Sequence, residues 1–327
     1  MGVLRKPSPD ELHEWQQRWL NPALFFLIQQ WWNWTRRLPL ITSAQREAYR
    51  PFFIVGAGRS GTTLLRRILM AHPQLHIPPE SHGALSQVVK KHYRYRGLDW
   101  QDLVSVVLGE FLALERFFLW KIDLTPLFLE LKKTPEGERS LARIVDAVYR
   151  HHLGQYKPGA VRWGDKTPMY ILRLKWLDRL FPEAQYINLI RDGRDVVASY
   201  LQAGLFPDLA QAARRWVWAV REAERYRRKW PPNKFISLRY EQLVKNPEAE
   251  VQRVCRFLNV DYLPEMLELV EPDVLGDANV AHHQRIQQPI DARSIGRWKD
   301  TLTDAQIRQA HQIMGEWLRK LGYLESR

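Results

Sequence analysis

The stretch PFFIVGAGRSGTTLLRRILMAHP, Pro51 to Pro73, decides how this chain folds. Phe52 to Val55 are apolar strand-formers, and Gly56, Gly58 and Gly61 punctuate the turn after them. From Thr62 onward, Leu64, Leu65, Ile68 and Leu69 recur at helical spacing. Strand, glycine loop and helix in that order set a row of backbone N–H groups at a helix N-terminus. Hydrogen bonding and the helix dipole there favour a phosphate-like anion. Gly56 to Thr63 matches the Walker A pattern G-x-x-x-x-G-K-[ST] except that Thr62 stands where the lysine belongs. A nucleoside triphosphatase uses that lysine on the β- and γ-phosphates. In this loop Arg59 supplies the positive charge, flanked by the hydroxyls of Ser60, Thr62 and Thr63. Three glycines alone also suit an ordinary strand–turn–helix corner. The dense Arg-Ser-Gly-Thr-Thr run makes this one an anion cradle.

Around that centre the chain holds 327 residues, with no Gly/Ser-rich or Pro-rich linker and no internal repeat. One α/β domain over residues 51–327 is expected, preceded by a helical extension over residues 1–50. The net charge of +13, from 49 basic and 36 acidic residues, suits anionic ligands, acidic acceptors or a membrane surface. Zinc-finger spacings and RNA-binding signatures are absent, so nucleic acid is not expected as a partner. Cys255 is the single cysteine, which excludes an intrachain disulfide and fits a reducing, cytoplasmic compartment. Trp19 to Thr35 is uncharged and rich in Trp, Phe and Leu, between Arg18 and Arg36. It is shorter than the roughly 20 apolar residues of a spanning helix, and Asn21, Pro22, Gln29, Gln30 and Asn33 interrupt it. Two readings stand: a helix packed on the domain, or one lying in a membrane interface with Trp31, Trp32 and Trp34 as anchors. Asn33-Trp34-Thr35 fits a glycosylation sequon, which has meaning only in a secreted chain.

Pro78 and Pro79 stop regular structure after the loop helix and present Glu80, Ser81 and His82 in a rigid segment. Helical periodicity covers Asp99 to Glu115 and Glu138 to His152. His92, His151 and His152 lack the partners of a metal site and read as surface or interhelical residues. Val161 to Trp163 is expected as a short buried strand, with Gly164 to Pro168 as the loop opening a helix from Met169 to Leu180. Tyr186 to Ile190 alternates and is β-branched, so it reads as a strand. Arg191 ends it, and Gly193 opens a helix in which Ser199 follows Arg191 by eight residues. An arginine at a strand end and a serine in the next helix can converge on one anion at the carboxyl edge of a parallel sheet. Tyr186 to Asp192 also imitates a Walker B strand, but without its Walker A lysine. Asp208 to Trp230 is a long helix, Phe235 to Leu238 a strand, and Asp304 to Leu321 a closing amphipathic helix.

GRSGTTLLRRILMAHP resembles the 5′-phosphosulfate loop of sulfotransferases that use 3′-phosphoadenosine 5′-phosphosulfate (PAPS). Within them it is most similar to tyrosylprotein sulfotransferases and their bacterial relatives. The resemblance runs from Pro51 to Thr303 and is strongest in the loop and in LIRDGRDVVASY. It implies a P-loop-type parallel sheet flanked by helices, sulfuryl transfer from PAPS to a hydroxyl acceptor, and no metal. Arg59, Ser60, Gly61, Thr62, Thr63 and Lys166 of GDKTP are thereby assigned to the 5′-phosphosulfate. Arg191 and Ser199 are assigned to the 3′-phosphate. Tyr240, in a segment similar to the family's Tyr-Glu-Asp-Leu, is placed near the nucleotide or in the core. ARSIGRWKDTLT resembles the Gly-x-Trp motif that closes the site, which makes Ser294, Arg297 and Lys299 candidate contacts. Glu80 lies 21 residues after Arg59, the separation of the catalytic glutamate in the tyrosylprotein family, so it is the expected general base. Its neighbour His82 replaces the family's substrate-side arginine and is the alternative base; a structural Glu80 that merely caps a helix is the other alternative. Arg59 and Lys166 join Glu80 as the catalytic set. The acceptor is open among peptide tyrosine, sugar, lipid and small phenol. Two other classes compete: a P-loop NTPase or kinase-like phosphotransferase, and a non-catalytic nucleotide-binding protein. The missing Walker lysine argues against the first, and the intact charged set against the second.

Overall fold

The computed structural model describes residues 21–24, 26–27, 38–268 and 290–325. The expectations for Trp31, Trp32, Trp34 and the Asn33 sequon lie outside those residues. Five strands, β1 (Phe52–Gly56), β2 (Leu75–His76), β3 (Arg162–Lys166), β4 (Gln185–Ile190) and β5 (Phe235–Arg239), form one sheet in the order β2-β3-β1-β4-β5. Every pairing is parallel. This is the expected α/β architecture.

The central strand β1 is buried along its whole length. Its period-two alternation sends Phe53 and Val55 to one core and Phe52 and Ile54 to the other. Burying each such side chain contributes about 1.5–3 kcal/mol. Helices α1 (Ser43–Ala48), α2 (Thr62–Ala71), α3 (Ala84–Tyr95), α4 (Trp100–Leu112), α5 (Thr125–Leu131) and α6 (Leu141–Tyr156) precede β3. After it come α7 (Leu174–Leu180), α8 (Gly193–Gln202), α9 (Leu209–Lys229), α10 (Tyr240–Lys245), α11 (Pro247–Leu258), α12 (Trp298–Thr301) and α13 (Asp304–Lys320). Leu65, Ile68 and Leu69 of α2 and Val251, Val254 and Leu258 of α11 cover the Phe52 face. The Phe53 face lies under α3, α4, α6, α8, α9 and α13.

Several helix starts are written locally. Ser140 accepts from Arg143 N at 3.0 Å to open α6, and Asp208 accepts from Gln211 N at 2.8 Å to open α9. Thr303 and Gln306 form a capping box on α13. Residues 38–50 lie against the sheet domain: Leu38, Leu40 and Ile41 pack on its core, and Ala142 N donates to Leu40 O at 2.8 Å. Among the described residues no helix is long and apolar enough to cross a membrane.

Two expectations are corrected. The strand expected to stop at Trp163 runs on to Lys166, while Val161 is exposed outside it. Gly164 explains the extension, for it pairs opposite Phe52, and a Cβ there would sit 2.5 Å from the Phe52 ring. A glycine that looks like a loop residue is what lets β3 approach β1. The helix expected from Met169 instead begins as a 3₁₀ turn, Pro168–Leu172, and breaks at Arg173 before α7. Helix α3 was not foreseen, although Ala84, Leu85, Val88, Val89 and His92 recur on one buried face.

Parallel strands put all five carboxyl ends on one edge. The loop 57–61 follows β1, Glu80 lies past β2, Lys166 ends β3, Arg191 follows β4, and Tyr240 follows β5. The sheet order reverses direction beside β1, which opens a crevice at that edge.

Candidate active site

The loop between β1 and α2 is shaped by two left-handed residues, Arg59 at φ 65° and Gly61 at φ 92°. A Cβ on Gly61 would lie 2.3 Å from the Tyr240 ring, so glycine is required there. Arg59 has no such exemption, and holding a non-glycine in this region costs about 1–3 kcal/mol. Gly61 caps α2 without any side-chain hydrogen bond, which leaves the first-turn N–H groups to a ligand. Ser60 is buried, and its Oγ has no hydrogen-bond partner. A buried hydroxyl of this kind is costly unless something arrives to satisfy it.

At one end of the loop stands a group of four expected residues, Arg59, Arg191, Ser199 and Tyr240. Arg59 Nε donates to Ser199 Oγ at 3.1 Å, and Arg191 Nη1 donates to Arg59 O at 3.2 Å. The guanidinium of Arg191 lies 4.5 Å from the centroid of the Tyr240 ring. Burial, and after it the neighbouring Arg191 charge, pushes the Arg59 guanidinium below its ordinary range. No carboxylate among the described residues lies within ion-pair distance of Arg59, and Arg191 Nε is buried without a partner. Two desolvated cations side by side repel unless an anion joins them. The structure thus sets the Arg59 side chain with Arg191 and Ser199 rather than with Lys166.

At the other end Lys166 ends β3 with its side chain fully buried. Its ammonium forms an ion pair with Glu80 Oε1 and lies 3.4 Å from Thr63 Oγ1. Glu80 is 24% exposed, so its carboxylate is reachable from solvent while its partner is not. The lysine missing from the loop is supplied here by the neighbouring strand, 103 residues after Thr63. Glu80 pairs with Lys166; His82, two residues on, is exposed at φ 45°.

Residues 51–264 match the sulfotransferase family profile. The chain belongs to the sulfotransferase family. Protein-tyrosine sulfotransferase A of Caenorhabditis elegans is 24% identical over 288 residues, 84% of this chain and 67% of that protein. Nodulation protein NoeE of Sinorhizobium fredii is 26% identical over 308 residues, 84% of this chain and 66% of that protein. The sulfotransferase domain of a Synechococcus olefin synthase shares the fold, with a TM-score of 0.57 at 24% identity over 81% of this chain and 95% of that domain. The protein is thus a sulfuryl-transferring enzyme.

In this sulfotransferase the Gly-x-Trp segment sits over Arg191, whose Nη2 donates to Ser294 O. Arg297 and Lys299 are exposed, with Lys299 Nζ 5.9 Å from the Trp298 ring centroid. Sequence reasoning passed over Asp195, whose carboxylate receives the backbone N–H groups of Gly296 and Trp298. Its signal was a second acid in RDGRD, one helical turn after Arg191. His76 was likewise missed: its Nε2 lies 2.7 Å from His152 Nδ1 in the interior, between β2 and α6. Among the described residues no cluster of His, Cys, Asp or Glu is arranged to hold a metal.

Proposed function

We propose that this sulfotransferase moves the sulfuryl group of PAPS to a hydroxyl oxygen of an acceptor, with Glu80 as the general base. One observation carries the reading: cationic groups gather at both ends of a single loop, Arg59 and Arg191 with Ser199 at one, Lys166 with Thr63 at the other. A nucleoside bearing phosphate groups at two positions suits such a loop better than a linear triphosphate, which needs charge in one line. The buried, unpartnered Ser60 Oγ and Arg191 Nε fit oxyanion acceptors. Arg59, Arg191 and Ser199 would hold the 3′-phosphate, with Tyr240 as the wall beneath Arg191. The amides of Ser60, Gly61, Thr62 and Thr63, with Lys166, would hold the 5′-phosphosulfate. Ser294, Arg297 and Lys299 would close the site.

The bound donor supplies an activated sulfuryl group on a phosphate leaving group. Lys166 offers its charge where that phosphate develops charge, and preorganised donors of this kind supply much of such catalysis. Glu80 takes the hydroxyl proton of the acceptor. Lys166, already paired with Glu80, would meet the donor's phosphate from the same side, which sets the base next to the leaving group. Names of relatives point to tyrosine as one acceptor; sugar, lipid and small phenol hydroxyls ask for the same chemistry. Calorimetry in chelator tests the donor: the 3′,5′-bisphosphate product should bind without magnesium and ATP poorly. Tight magnesium-dependent ATP binding without bisphosphate binding would overturn the reading. An acceptor screen with radiolabelled PAPS would then name the acceptor.

A further inference from the structure

We infer that Asp195 is a positioning residue that ties the C-terminal clip, residues 290–301, to the arginine that receives the 3′-phosphate; the inference rests on the donor reading above. The Asp195 side chain is fully buried. A buried carboxylate needs strong partners, and its closest come from a segment about a hundred residues away. Oδ2 accepts from Gly296 N at 2.9 Å, and Oδ1 accepts from Trp298 N at 3.0 Å. Gly296 sits at φ 77°, in the left-handed region, and the turn it makes brings both N–H groups onto one carboxylate. Oδ2 also lies 3.7 Å from Arg191 Nη2, an ionic contact too long for a hydrogen bond.

Two neighbours of Asp195 grip the same segment. Arg191 Nη2 donates to Ser294 O, and the Arg194 guanidinium lies 4.1 Å from the Trp298 ring centroid. Arg191 lies just before the α8 N-cap Asp192, and Arg194 and Asp195 stand in the first turn of α8, so three side chains at this helix start meet alternate clip residues 294, 296 and 298. Arg191 is thereby held from three sides: the clip at Nη2, the loop at Nη1 through Arg59 O, and the Asp195 charge. Its Nε is the nitrogen left without a partner. Seating the clip sets the plane of this guanidinium, and Asp195 seats the clip. An acid inside a phosphate site would by itself weaken anion binding. Here its two oxygens are spent on backbone N–H groups, so it orders the site while its charge is already compensated.

Asp195→Asn tests this, since it keeps the size but turns an NH₂ group toward one of the two backbone donors. Affinity for adenosine 3′,5′-bisphosphate should fall by roughly 10–100-fold, the range for losing a charge-assisted hydrogen bond. Affinity for adenosine 5′-monophosphate should change less than about twofold, because the loop and Lys166 are untouched. Hydrogen exchange at Gly296 and Trp298 should quicken, and the bisphosphate should no longer slow it. Trp298→Ala loosens the same clip from its other anchor and should repeat the bisphosphate-selective loss, which keeps the test open if the asparagine variant folds poorly. Equal losses for both nucleotides, or unchanged bisphosphate affinity in the variant, would overturn the role of Asp195. If the wild-type protein binds no bisphosphate at all, it is the donor reading that fails.

Discussion

Glu80 and Lys166 stand as one unit at the carboxyl edge of the sheet, a partly buried carboxylate against a fully buried ammonium. Their proximity is what a base beside a leaving-group cation requires, and it sharpens what single substitutions should do. Glu80→Gln preserves size and hydrogen bonding but cannot take a proton, so turnover should drop by about 10²–10⁴-fold. Bisphosphate affinity should stay within a few-fold, as measured by calorimetry, because Arg59, Arg191 and Ser199 are unaltered. Phenols that ionise easily should suffer less than alkyl alcohols. Near-normal turnover in Glu80→Gln with loss in His82→Ala would transfer the role to the exposed histidine. The residue types were legible from the chain: a loop arginine, a carboxylate after a proline pair, a lysine in GDKTP. Their partners were not, because a side chain's direction is set by what packs around it. Arg59 shows this, since its guanidinium turns onto Ser199, 140 residues later.

At the scale of elements, β3 and the β2–α6 contact each make a measurable claim. Gly164→Ala would press a methyl group to within 2.5–2.8 Å of the Phe52 ring atoms. Overpacking of this kind costs about 1–3 kcal/mol, and denaturant unfolding should show it. Activity should fall further than stability alone explains, because Lys166 follows two residues later in the same strand. Between β2 and α6, burial and then neighbouring positive charges hold His76 and His152 far below the ordinary imidazole range, His76 at about 3. The pair therefore stays neutral in the folded protein while the unfolded chain takes up protons near pH 6.5. Folded pKa values below the unfolded ones mean stability is full above about pH 6.5 and is lost as pH falls toward about 3. Thermal midpoints should drop between pH 7 and pH 5, where few carboxylates titrate, and His152→Gln should flatten that slope. An unchanged slope in the variant would remove the pair from the acid response. These features were partly visible in advance: a continuous apolar run marked β1 and alternation with β-branching marked β4, whereas a two-residue β2 has too short a pattern to register.

For the whole molecule, the net charge of +13 bears on its surfaces. Leu24, Phe26 and Leu27 are helical and exposed, next to the expected tryptophan anchors that lie outside the described residues. The protein should co-sediment with anionic vesicles, less so at high salt, where exposed charges are screened. Deletion should stop at residue 37, since Leu38, Leu40 and Ile41 belong to the packed domain. A folded protein lacking residues 1–37 should lose vesicle binding and keep nucleotide affinity; undiminished sedimentation would place the membrane contact elsewhere on the basic surface.

The sequence by itself determined the strand–glycine loop–helix unit, the strand-end arginine, the parallel α/β architecture and the membership in its family. Each is local: glycines at a turn, apolar spacing along one element, hydroxyls adjoining one charge. Only the tertiary structure decided that Lys166 meets Glu80 and Thr63, that Arg59 faces Ser199, and that Asp195 holds Gly296 and Trp298. Those residues lie tens to more than a hundred positions apart along the chain. The physical reason is that parallel pairing brings all five carboxyl ends to one edge, while the order β2-β3-β1-β4-β5 decides which of them adjoin. Local pattern sets which residue ends each strand, and the order of pairing across the sheet sets which ends are neighbours.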